Sequence, residues 1–506
     1  MPKWLRDALV AISLANLCFL SSWLILLNPN HYVYYFWKND PGFSELISLV
    51  VAVLLLATLF WIARRLLKGR VVRWAFLVVL TWPVNSFLID YAKLSVLESA
   101  LKSHWGIFVL VMIAGALLFL IWRKQDQMIA AGLSILVILS PLILVNVAVS
   151  MWLRHQHPQP VQAQQQTIAE RKNGPRIVWI IFDELQWQMV FENRPPNLKL
   201  PEFDRLMGES VHFTHAYPPS WQTLTSMPAL LSGQFVKSAA PKNESELELE
   251  TEQGTFVDWS KQTSVFSEAK KAGFTTGVAG WYHPYCRLPG NDLDVCYWTP
   301  QLGPANPALG QLGFSSAFIN NVTVALLRIP FLFRLSHRLY ERKQRNDHAA
   351  ELREVFANSS QIISQHLNLT LLHFPVPHSP WINEARMDAE NIDGYLDNVT
   401  IADRTLGDLR SLMGTGWDET IVVVSADHWW RDAPRIDGKR DHRVPFMVKL
   451  AGQQVGVEYQ GAFNTILTRM LLLELLKGEM KSSSAVVEWI DRNSQLGETS
   501  LTANAP

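Results

Sequence analysis

The sequence predicts two parts: an N-terminal bundle of five transmembrane helices, and an α/β domain in which helices cover a mostly parallel sheet. Five apolar stretches in the first 154 residues are each close to the ~20 residues that a membrane-spanning helix needs. Beyond residue 176, short β-branched runs alternate with amphipathic segments of helix length, which is typical of a buried parallel sheet. The apolar stretches lie near residues 7–28, 45–63, 74–92, 105–122 and 129–152.

The composition supports a membrane protein whose two parts carry opposite charge. Of 506 residues, 49% are hydrophobic and 18% are charged, which excludes a disordered chain and argues against a purely soluble one. The 45 basic and 45 acidic residues balance over the chain. Residues 1–154 nevertheless hold 13 Lys and Arg against 6 Asp and Glu, and the remainder holds 32 against 39. Neither the net charge nor any basic tract indicates nucleic acid, so no nucleic-acid partner is expected.

The basic residues also predict the orientation of the chain in the membrane. They precede the first apolar stretch and follow the second and the fourth, which places the N-terminus in the cytoplasm and everything after about residue 153 outside it. The first stretch is too long for a signal peptide and lacks a small-residue cleavage site. The alternative, five buried helices of a soluble core, does not explain the short polar joints. These basic residues are Lys3, Arg6, Arg64, Arg65, Lys68, Arg70, Arg73, Arg123 and Lys124.

Three segments follow from these patterns: a transmembrane domain over residues 1–154, a polar linker over 155–176 and an extracytoplasmic domain over 177–506. The linker is rich in Gln and Pro and has no apolar periodicity, so it is interpreted as a tether. Cys286 and Cys296 are the only cysteines beyond the predicted membrane part. An oxidising compartment favours a disulfide between them, and two free buried thiols are the alternative.

Acidic residues follow two of the predicted strands, which cover residues 177–182, 274–279, 369–373 and 420–425; residues 390–413 predict a helix. Asp183 and Glu184 come directly after the first strand, and Asp427 and His428 come shortly after the last. Open α/β sheets bind ligands beyond the carboxyl ends of their strands. Carboxylate oxygen and imidazole nitrogen suit Zn²⁺ or Mn²⁺, in preference to Mg²⁺ or Ca²⁺.

A third motif is the run TLTSMPALLSG at residues 223–233. Pro228 suits the first turn of a helix, which would place Thr223 at the helix N-terminus. The free N–H groups and positive dipole at that end favour an anion such as phosphate or sulfate. The alternative is that Thr223 merely caps the helix.

Together these residues resemble the membrane-anchored branch of the sulfatase and alkaline-phosphatase superfamily, namely the bacterial phosphoethanolamine and phosphoglycerol transferases. The run at 223–233 has the length of the sulfatase nucleophile motif, and the transferases place Thr at its nucleophile position, here Thr223, with Pro five residues later. Asp183 matches the metal ligand that ends the first strand, and Asp427 and His428 match the Asp-His pair of the S-D-H-G motif.

The resemblance extends to two further histidines and is broken at other positions. His378, in V-P-H-S-P, matches a mid-domain H-x-P motif, and His442, in D-H-R-V-P, matches a late H-x-x-P motif. The small Gly after the Asp-His pair is replaced by Trp429 and Trp430, which predicts a narrower substrate entrance. The transferases more often have Glu at the position of Asp183, so Glu184 is a candidate second ligand. No Cys occupies the nucleophile position, so the formylglycine of most sulfatases cannot form.

The resemblance implies a metal-dependent phosphotransferase of the bacterial inner membrane, with its catalytic domain in the periplasm. Asp183, Asp427, His428 and Thr223 would bind the metal, and Thr223 would carry a phospho-intermediate. His378 and His442 would hold the transferred group, protonate the leaving alkoxide or bind a second metal. The expected partners of this monomer are a phospholipid donor of phosphoethanolamine or phosphoglycerol and a glycan or lipid acceptor.

Two alternative functions remain at this point: a sulfatase-like hydrolase (phosphatase, phosphodiesterase or atypical sulfatase) and a catalytically silent membrane sensor or scaffold.

Three further features of the sequence give weaker signals. His373 fits no ligand position and is taken as structural. Residues 324–345 predict either a helix on the anionic membrane surface or an ordinary amphipathic helix packed on the domain. The alternating glutamates of residues 244–252 predict a solvated strand or loop edge.

Overall fold

The computed structural model of the protein describes most of the chain and divides it into two compact units. The described residues are 1–27, 35–36, 42–66, 79–87, 112, 127, 129–156, 173–288, 292–303, 313–329, 333–383, 391–433 and 440–494. The first unit comprises Met1–Pro29, Asp40–Gln159 and Gly310–Tyr340. The second comprises Asn30–Asn39, Pro160–Leu309 and Glu341–Pro506. Most of the predicted linker, residues 157–172, lies outside the described residues.

The main helices and the strands have the following bounds. The helices are α1 Lys3–Cys18, α2 Leu20–Leu27, α3 Gly42–Leu66, α4 Leu142–Gln156, α5 Pro201–Gly208, α6 Thr223–Ser232, α7 Val265–Lys271, α8 Phe314–Leu326, α9 Phe333–Ile363, α10 Ile392–Met413, α11 Thr468–Leu476 and α12 Ser483–Asn493. The strands are β1 Ile177–Asp183, β2 Val211–Phe213, β3 Ala216–Tyr217, β4 Val236–Asn243, β5 Glu246–Thr251, β6 Phe256–Asp258, β7 Thr276–Trp281, β8 Val295–Thr299, β9 Leu369–Pro377, β10 Ile421–Ala426, β11 Phe446–Lys449, β12 Val457–Tyr459 and β13 Phe463–Asn464.

The first unit contains the apolar helices. Phe43–Leu66 and Ile129–Leu153 are long and apolar enough to cross a membrane, and α1 with α2, bent by 66° at their junction, makes a third candidate if the pair is one span. The predicted spans near 74–92 and 105–122 lie largely outside the described residues. Two or three of the five predicted spans therefore have a described helix, and the five-helix bundle itself stays a prediction.

Polar contacts hold helices of the first unit together. Arg64 of α3 donates to Asp7 of α1 at 2.8 Å, and Asn321 of α8 donates to the Ser48 hydroxyl of α3 at 3.1 Å. Asn321 is buried, so its amide needs such a partner. The predicted amphipathic segment 324–345 thus begins in a helix that packs on α3, and its role at a membrane surface stays a prediction.

The second unit is built on an eight-stranded sheet with the order β12-β2-β11-β10-β1-β9-β7-β8. The strands β10, β1, β9, β7 and β8 run parallel, while β11 pairs antiparallel with both of its neighbours, β10 and β2. The predicted α/β domain with a mostly parallel sheet is confirmed. Strand β7 begins two residues later than predicted. Both β7 and β9 end later than predicted, at Trp281 and Pro377, because pairing with the neighbouring strands extends them beyond the apolar runs.

The central strand β1 has apolar side chains on both faces, which makes the sheet the middle of two cores. Ile177, Trp179 and Ile181 belong to the core that includes apolar residues of α6, α7 and α11. Val178 and Ile180 belong to the other core, with apolar residues of α10. Alternate side chains of a strand point to opposite faces, so a continuous apolar run requires cover on both sides. This burial holds the carboxyl end of β1 in place.

A smaller antiparallel sheet contains the alternating glutamates. Strands β4, β5 and β6 form it, and along β5 the side chains of Leu247 and Leu249 are buried. The glutamates that alternate with these leucines lie on the opposite face of the strand. Glu248 pairs there with Lys242 at 2.6 Å, and Glu250 pairs with Lys237 at 2.8 Å. The strand expected in this run is therefore present as β5, and two of its glutamates, Glu248 and Glu250, have lysine partners.

A disulfide joins Cys286 to Cys296, as the sequence predicts. It links the loop after β7 to β8, two strands that already pair in parallel. Cys18 of α1 is a free, buried thiol. The bridge agrees with folding in an oxidising compartment.

Gly394, near the start of α10, tests how tightly this helix packs on the sheet domain. A Cβ at this position would lie 2.5 Å from Trp381 Cδ1, so we expect Gly394→Ala to lower the free energy of unfolding by about 1–3 kcal/mol. Gly208→Ala is the matched control, since a Cβ there meets no atom within 4 Å. Unfolding midpoints in denaturant check this, and equal midpoints for both variants would contradict it.

Candidate active site

The candidate site begins at the buried aspartate that ends β1. The register between β1 and β9 shifts between Phe182 and Asp183, so Asp183 leaves the regular pairing at the carboxyl end of the sheet. Its side chain is completely buried. Ligands of open α/β sheets bind at this edge.

The second strand-end pair lies beside it, because β10 runs parallel to β1 as its direct neighbour. The Nε2 atom of His428 lies 3.5 Å from Asp183 Oδ1 and 3.5 Å from Asp427 Oδ2. The backbone N–H of Glu184 donates to Asp427 Oδ1 at 3.3 Å. The structure therefore brings together three of the predicted metal ligands.

Thr223 contacts this group from the first residue of α6. Its Oγ1 donates to Asp183 Oδ2 at 3.1 Å and lies 3.2 Å from His428 Nε2. The N-cap residue is Gln222, and it makes no side-chain capping bond. The hydroxyl of Thr223 thus faces Asp183 and His428 and does not cap the helix. Its role as the nucleophile stays a prediction.

The helix α6 differs in one detail from the expected one. Pro228 was expected in the first turn, but the helix already begins at Thr223, so the proline lies inside it. Two serine side chains of α6 donate hydrogen bonds to backbone carbonyls. Ser226 donates to the carbonyl of Asp427, and Ser232 donates to the carbonyl of Pro228 at 2.7 Å. The first of these bonds ties α6 directly to the end of β10.

His428 presents an unprotonated nitrogen to the carboxylates. Its Nδ1 lies 2.9 Å from the carbonyl oxygen of Trp429, so Nδ1 carries the proton and donates it there. Burial lowers the pKa of His428 to about 3, so the ring is neutral near pH 7. The lone pair of Nε2 then points at the two carboxylates, as in a metal-binding histidine held by a backbone carbonyl.

The two carboxylates require a positive charge. Burial raises the pKa of Asp183 well above its usual value, and Asp427 and Glu184 raise it further. Burial likewise raises the pKa of Asp427. Asp183 Oδ1 and Asp427 Oδ2 are buried without a hydrogen-bond partner among the described residues. With His428, these residues offer ligand atoms within 4.8 Å of one another. Two unpaired carboxylate oxygens and one imidazole lone pair fit a divalent cation.

The sulfatase family model matches residues 175–466, more than half of the chain. The chain belongs to the sulfatase family. It is 29% identical over 178 residues to the N-acetylgalactosamine-6-O-sulfatase of Bacteroides thetaiotaomicron. That match covers 34% of this chain and 31% of the relative, so the chain spans about a third of the length of this curated sulfatase.

Solved structures also align with the chain, at low sequence identity. The phosphonate monoester hydrolase of Agrobacterium radiobacter is 12% identical, with a TM-score of 0.39, and the alignment covers 60% of this chain and 74% of that one. A protein of the alkaline phosphatase superfamily from Vibrio parahaemolyticus is 14% identical, with a TM-score of 0.35 over 63% and 71% of the two chains.

Glu184 does not belong to the candidate metal-binding group of Asp183, Asp427 and His428. The carboxylate of Glu184 accepts a hydrogen bond from Arg431 Nε at 2.8 Å and is almost completely buried. The residue has a φ of 63°, in the left-handed region that few non-glycine residues adopt. Tyr395 holds it there by donating to the carbonyl of Glu184 at 2.8 Å. Glu184 is therefore paired with a cation of the protein itself.

The two predicted histidines outside the group lie in different surroundings. Arg431 Nη2 lies 3.3 Å from His378 Nε2, and His378 Nδ1 contacts the carbonyl of Ser379. His442 stacks on Trp429 with ring centroids 4.3 Å apart, and burial lowers its pKa. Neither histidine is a member of the group formed by the two aspartates and His428.

The tryptophan pair after His428 lies inside the sulfatase domain. Trp430 is buried and stacks on Tyr395 with centroids 4.1 Å apart and nearly parallel planes. Trp429 is 8% exposed and packs against His442. Both rings therefore pack against side chains near the site, namely Tyr395 and His442. That they narrow the substrate entrance stays a prediction.

Sequence reasoning missed a histidine that contacts the backbone of Thr223. His283 Nε2 lies 3.0 Å from the carbonyl oxygen of Thr223, and its Nδ1 lies 2.7 Å from the hydroxyl of Tyr35. Nε2 must donate to the carbonyl, so Nδ1 accepts from Tyr35. Burial lowers the pKa of His283 to about 3, which keeps the ring neutral. The signal for it was its position just past the carboxyl end of β7, at the ligand-binding edge of the sheet.

A second buried histidine lies in the neighbouring strand. His373 of β9 contacts the hydroxyl of Tyr285 through Nδ1 at 3.0 Å, and burial lowers its pKa to about 4, although Asp427 raises it. It is absent from the group of candidate metal ligands. This agrees with its interpretation as a structural residue.

Proposed function

We propose that this sulfatase-family chain is a metal-dependent phosphotransferase. Thr223 would take a phosphoethanolamine or phosphoglycerol head group from a membrane phospholipid, and an envelope glycan or lipid would accept it. The observation that carries the proposal is the position of Thr223 Oγ1, which is 3.1 Å from Asp183 Oδ2 and 3.2 Å from His428 Nε2. A hydroxyl held beside a proton acceptor and a metal-binding group is an activated nucleophile.

The residue type at the nucleophile position favours phosphoryl over sulfuryl transfer. Threonine cannot be converted to the formylglycine on which most sulfatases depend, whereas an alcohol attacks phosphorus directly. The other polar hydroxyls of α6 have structural partners: Thr225 contacts the Ser220 hydroxyl at 2.5 Å, and Ser226 bonds to the Asp427 carbonyl. Thr223 is thus the hydroxyl of this helix that faces the metal-binding group.

Asp183, Asp427, His428 and Thr223 would hold the divalent cation, for which Zn²⁺ and Mn²⁺ are the candidates. When bound, such a cation lowers the pKa of a hydroxyl and offsets the negative charge of the phosphoryl oxygens. The aspartates and the neutral His428 supply two negative charges and one lone pair, which is why an anionic substrate needs the cation in order to approach them.

Two displacements at phosphorus complete the proposed reaction. In the first, Thr223 Oγ1 forms a bond to phosphorus, the bond to the diacylglycerol oxygen breaks, and Asp183 Oδ2 is placed to take the hydroxyl proton. In the second, an acceptor hydroxyl attacks phosphorus and gives its proton to the histidine that protonated the alkoxide, while Asp183 returns its proton to Thr223 Oγ1 as the Oγ1–phosphorus bond breaks. His442 is the better candidate than His378 for protonating the leaving alkoxide, because Nε2 of His378 already accepts from Arg431.

A lipid donor and an extracytoplasmic site are supported by two further features. The chain carries two described helices that are apolar enough to span a membrane. Its disulfide between Cys286 and Cys296 agrees with an oxidising compartment such as the periplasm. We therefore propose the bacterial inner membrane as its location, with the N-terminus in the cytoplasm and the sulfatase domain outside.

Hydrolysis is the second candidate function, since the curated relative is a sulfatase that is 29% identical over the matched residues. The same nucleophile could pass its phosphoryl or sulfuryl group to water. The two functions differ only in the second displacement, so the product distinguishes them.

The test uses the purified full-length chain in lipid nanodiscs, loaded with Zn²⁺ or Mn²⁺. We expect diacylglycerol release from phosphatidylethanolamine or phosphatidylglycerol, and an intact-mass adduct of the head group that peptide mapping places on Thr223. A labelled head group found on an added glycan or lipid acceptor supports the transferase, and free head-group phosphate alone supports the hydrolase. A metal-loaded protein that forms no adduct and releases no diacylglycerol would refute the phosphotransferase.

A further inference from the structure

Arg431 occupies a position that neither the sequence motifs nor the family resemblance assigns. It comes three residues after His428, and its guanidinium is half-buried, with its side chain 35% exposed. It contacts two residues beside the metal-binding group: Nε donates to Glu184 at 2.8 Å, and Nη2 lies 3.3 Å from His378 Nε2. Both contacts fix the plane of the guanidinium.

Other hydrogen bonds hold Glu184 and His378, the two residues that Arg431 contacts, in place. Glu184 is held by the hydroxyl of Tyr395, which donates to its carbonyl at 2.8 Å, and by its own N–H bond to Asp427 at 3.3 Å. His378 directs Nδ1 at the carbonyl of Ser379, so Nδ1 carries the proton and Nε2 accepts from Arg431. The guanidinium is therefore oriented before any ligand arrives.

One part of the guanidinium is left for a ligand. Within the part of the chain that the structure describes, Nε and Nη2 have the acceptors named above, and Nη1 has none. Arginine donates five N–H bonds in a rigid plane, and two of them match two oxygens of a phosphate.

The charge of Arg431 acts on the metal-binding group itself. Burial works to lower the pKa of Arg431, but Glu184 outweighs it and raises the pKa above its usual value. Asp183 and Asp427 contribute to the same increase, so the guanidinium lies within electrostatic reach of both ligands. An anion bound next to these aspartates would thus meet a fixed cation of the protein.

We propose that Arg431 binds the non-bridging oxygens of the transferred phosphoryl group, with Glu184 and His378 as the residues that position it. This assignment rests on the proposed phosphotransferase function and names the residue that recognises the phosphate. Arg431 is the contact residue. Glu184 positions Arg431 without touching the phosphate, and its neutral variant should weaken phosphate binding by less.

The experiment measures inhibition by inorganic phosphate in the metal-loaded, full-length protein. We expect Arg431→Ala to weaken phosphate binding by about 10- to 100-fold, as the loss of a hydrogen bond to a charged group does. Arg431→Lys retains the charge without the planar fork and should fall between Arg431→Ala and the wild type. Glu184→Gln should have a smaller effect than Arg431→Ala, with unchanged metal content.

Arg194→Ala is the matched control, because Arg194 also pairs with a carboxylate, Asp204, at 2.8 Å but lies outside the site. It should leave phosphate inhibition unchanged. If Arg431→Ala loses its metal or its cooperative unfolding, Arg431→Lys decides the question. Phosphate inhibition equal to wild type in a folded, metal-loaded Arg431 variant overturns the proposal.

The outcome is separable from that of the proposed function. Phosphate binding to the metal-loaded wild type is also measured by calorimetry, without turnover. Binding that Arg431→Ala weakens, in a protein that transfers no head group, supports the anion contact while the phosphotransferase fails. If turnover and phosphate binding are both the same in the Arg431 variants as in the wild type, the proposed anion contact is wrong and the proposed phosphotransferase function still stands.

Discussion

Thr223→Ala is expected to lower the rate of head-group release from the phospholipid donor by on the order of 10³-fold or more. The substitution removes the oxygen that would bond to phosphorus, and no other hydroxyl of α6 faces Asp183 and His428. Three of the four residues proposed to hold the cation, namely both aspartates and His428, stay in place. We therefore expect bound metal and the unfolding midpoint to stay close to wild type, and diacylglycerol release measures the loss.

Thr225→Ala is the control for this prediction. Thr225 lies on the same helix and is equally buried, but its hydroxyl contacts Ser220 and the carbonyl of Gln222. Its loss should change the rate only a few-fold. Thr223→Ser should restore part of the activity because it returns a hydroxyl to the same position. An active, adduct-free Thr223→Ala protein would mean that another group attacks the substrate.

The second large effect is expected from Asp427→Asn, which should weaken binding of the divalent cation by roughly 100-fold or more and reduce turnover with it. The amide keeps an oxygen that can accept from the N–H groups of Glu184 and His428, as Asp427 Oδ1 does now. It replaces the unpaired Oδ2 by a group that cannot bind a cation. Metal analysis after dialysis, together with the turnover rate, measures the effect.

Asp403→Asn provides the matched control, since this carboxylate also accepts from two backbone N–H groups, those of Glu202 and Phe203, but lies in α10 away from the site. Its metal content should equal that of the wild type. In the metal-free protein Asp427→Asn should raise the unfolding midpoint, because it removes one of two buried carboxylates that repel each other. Full metal content in Asp427→Asn would contradict the assigned ligand.

Much of the site's framework was predictable because it depends on strand ends. The apolar runs that become β1 and β10 are buried on both faces, and parallel neighbours deliver Asp183 and Asp427 to the same edge of the sheet. The helix that begins at Thr223 was also visible in the sequence. The antiparallel strands β11 and β2 could not be predicted from the sequence, because strands this short show little hydrophobic periodicity.

The partners of the site depend on geometry that a single sequence does not reveal. The sequence offers Glu184 as a candidate second metal ligand, but a left-handed backbone turns its carboxylate to Arg431. The contact between Tyr35 and His283 joins residues that are far apart in the chain. Hydropathy identifies apolar stretches well, and this is why the candidate spans near residues 43–66 and 129–153 match predicted ones.

The uncapped start of α6 has a consequence for the proposed phosphothreonine intermediate. Gln222 makes no side-chain bond to the first turn, and the Thr223 hydroxyl points to Asp183. A phosphoryl group on Thr223 Oγ1 would add two or three acceptor oxygens at this helix end, where exposed N–H groups and the helix dipole stabilise negative charge. The phosphorylated enzyme would then be a better-capped protein than the free one. The phosphorylated enzyme would then be the resting state in the absence of an acceptor. The acceptor would have to displace a phosphoryl group that the N-terminus of α6 stabilises.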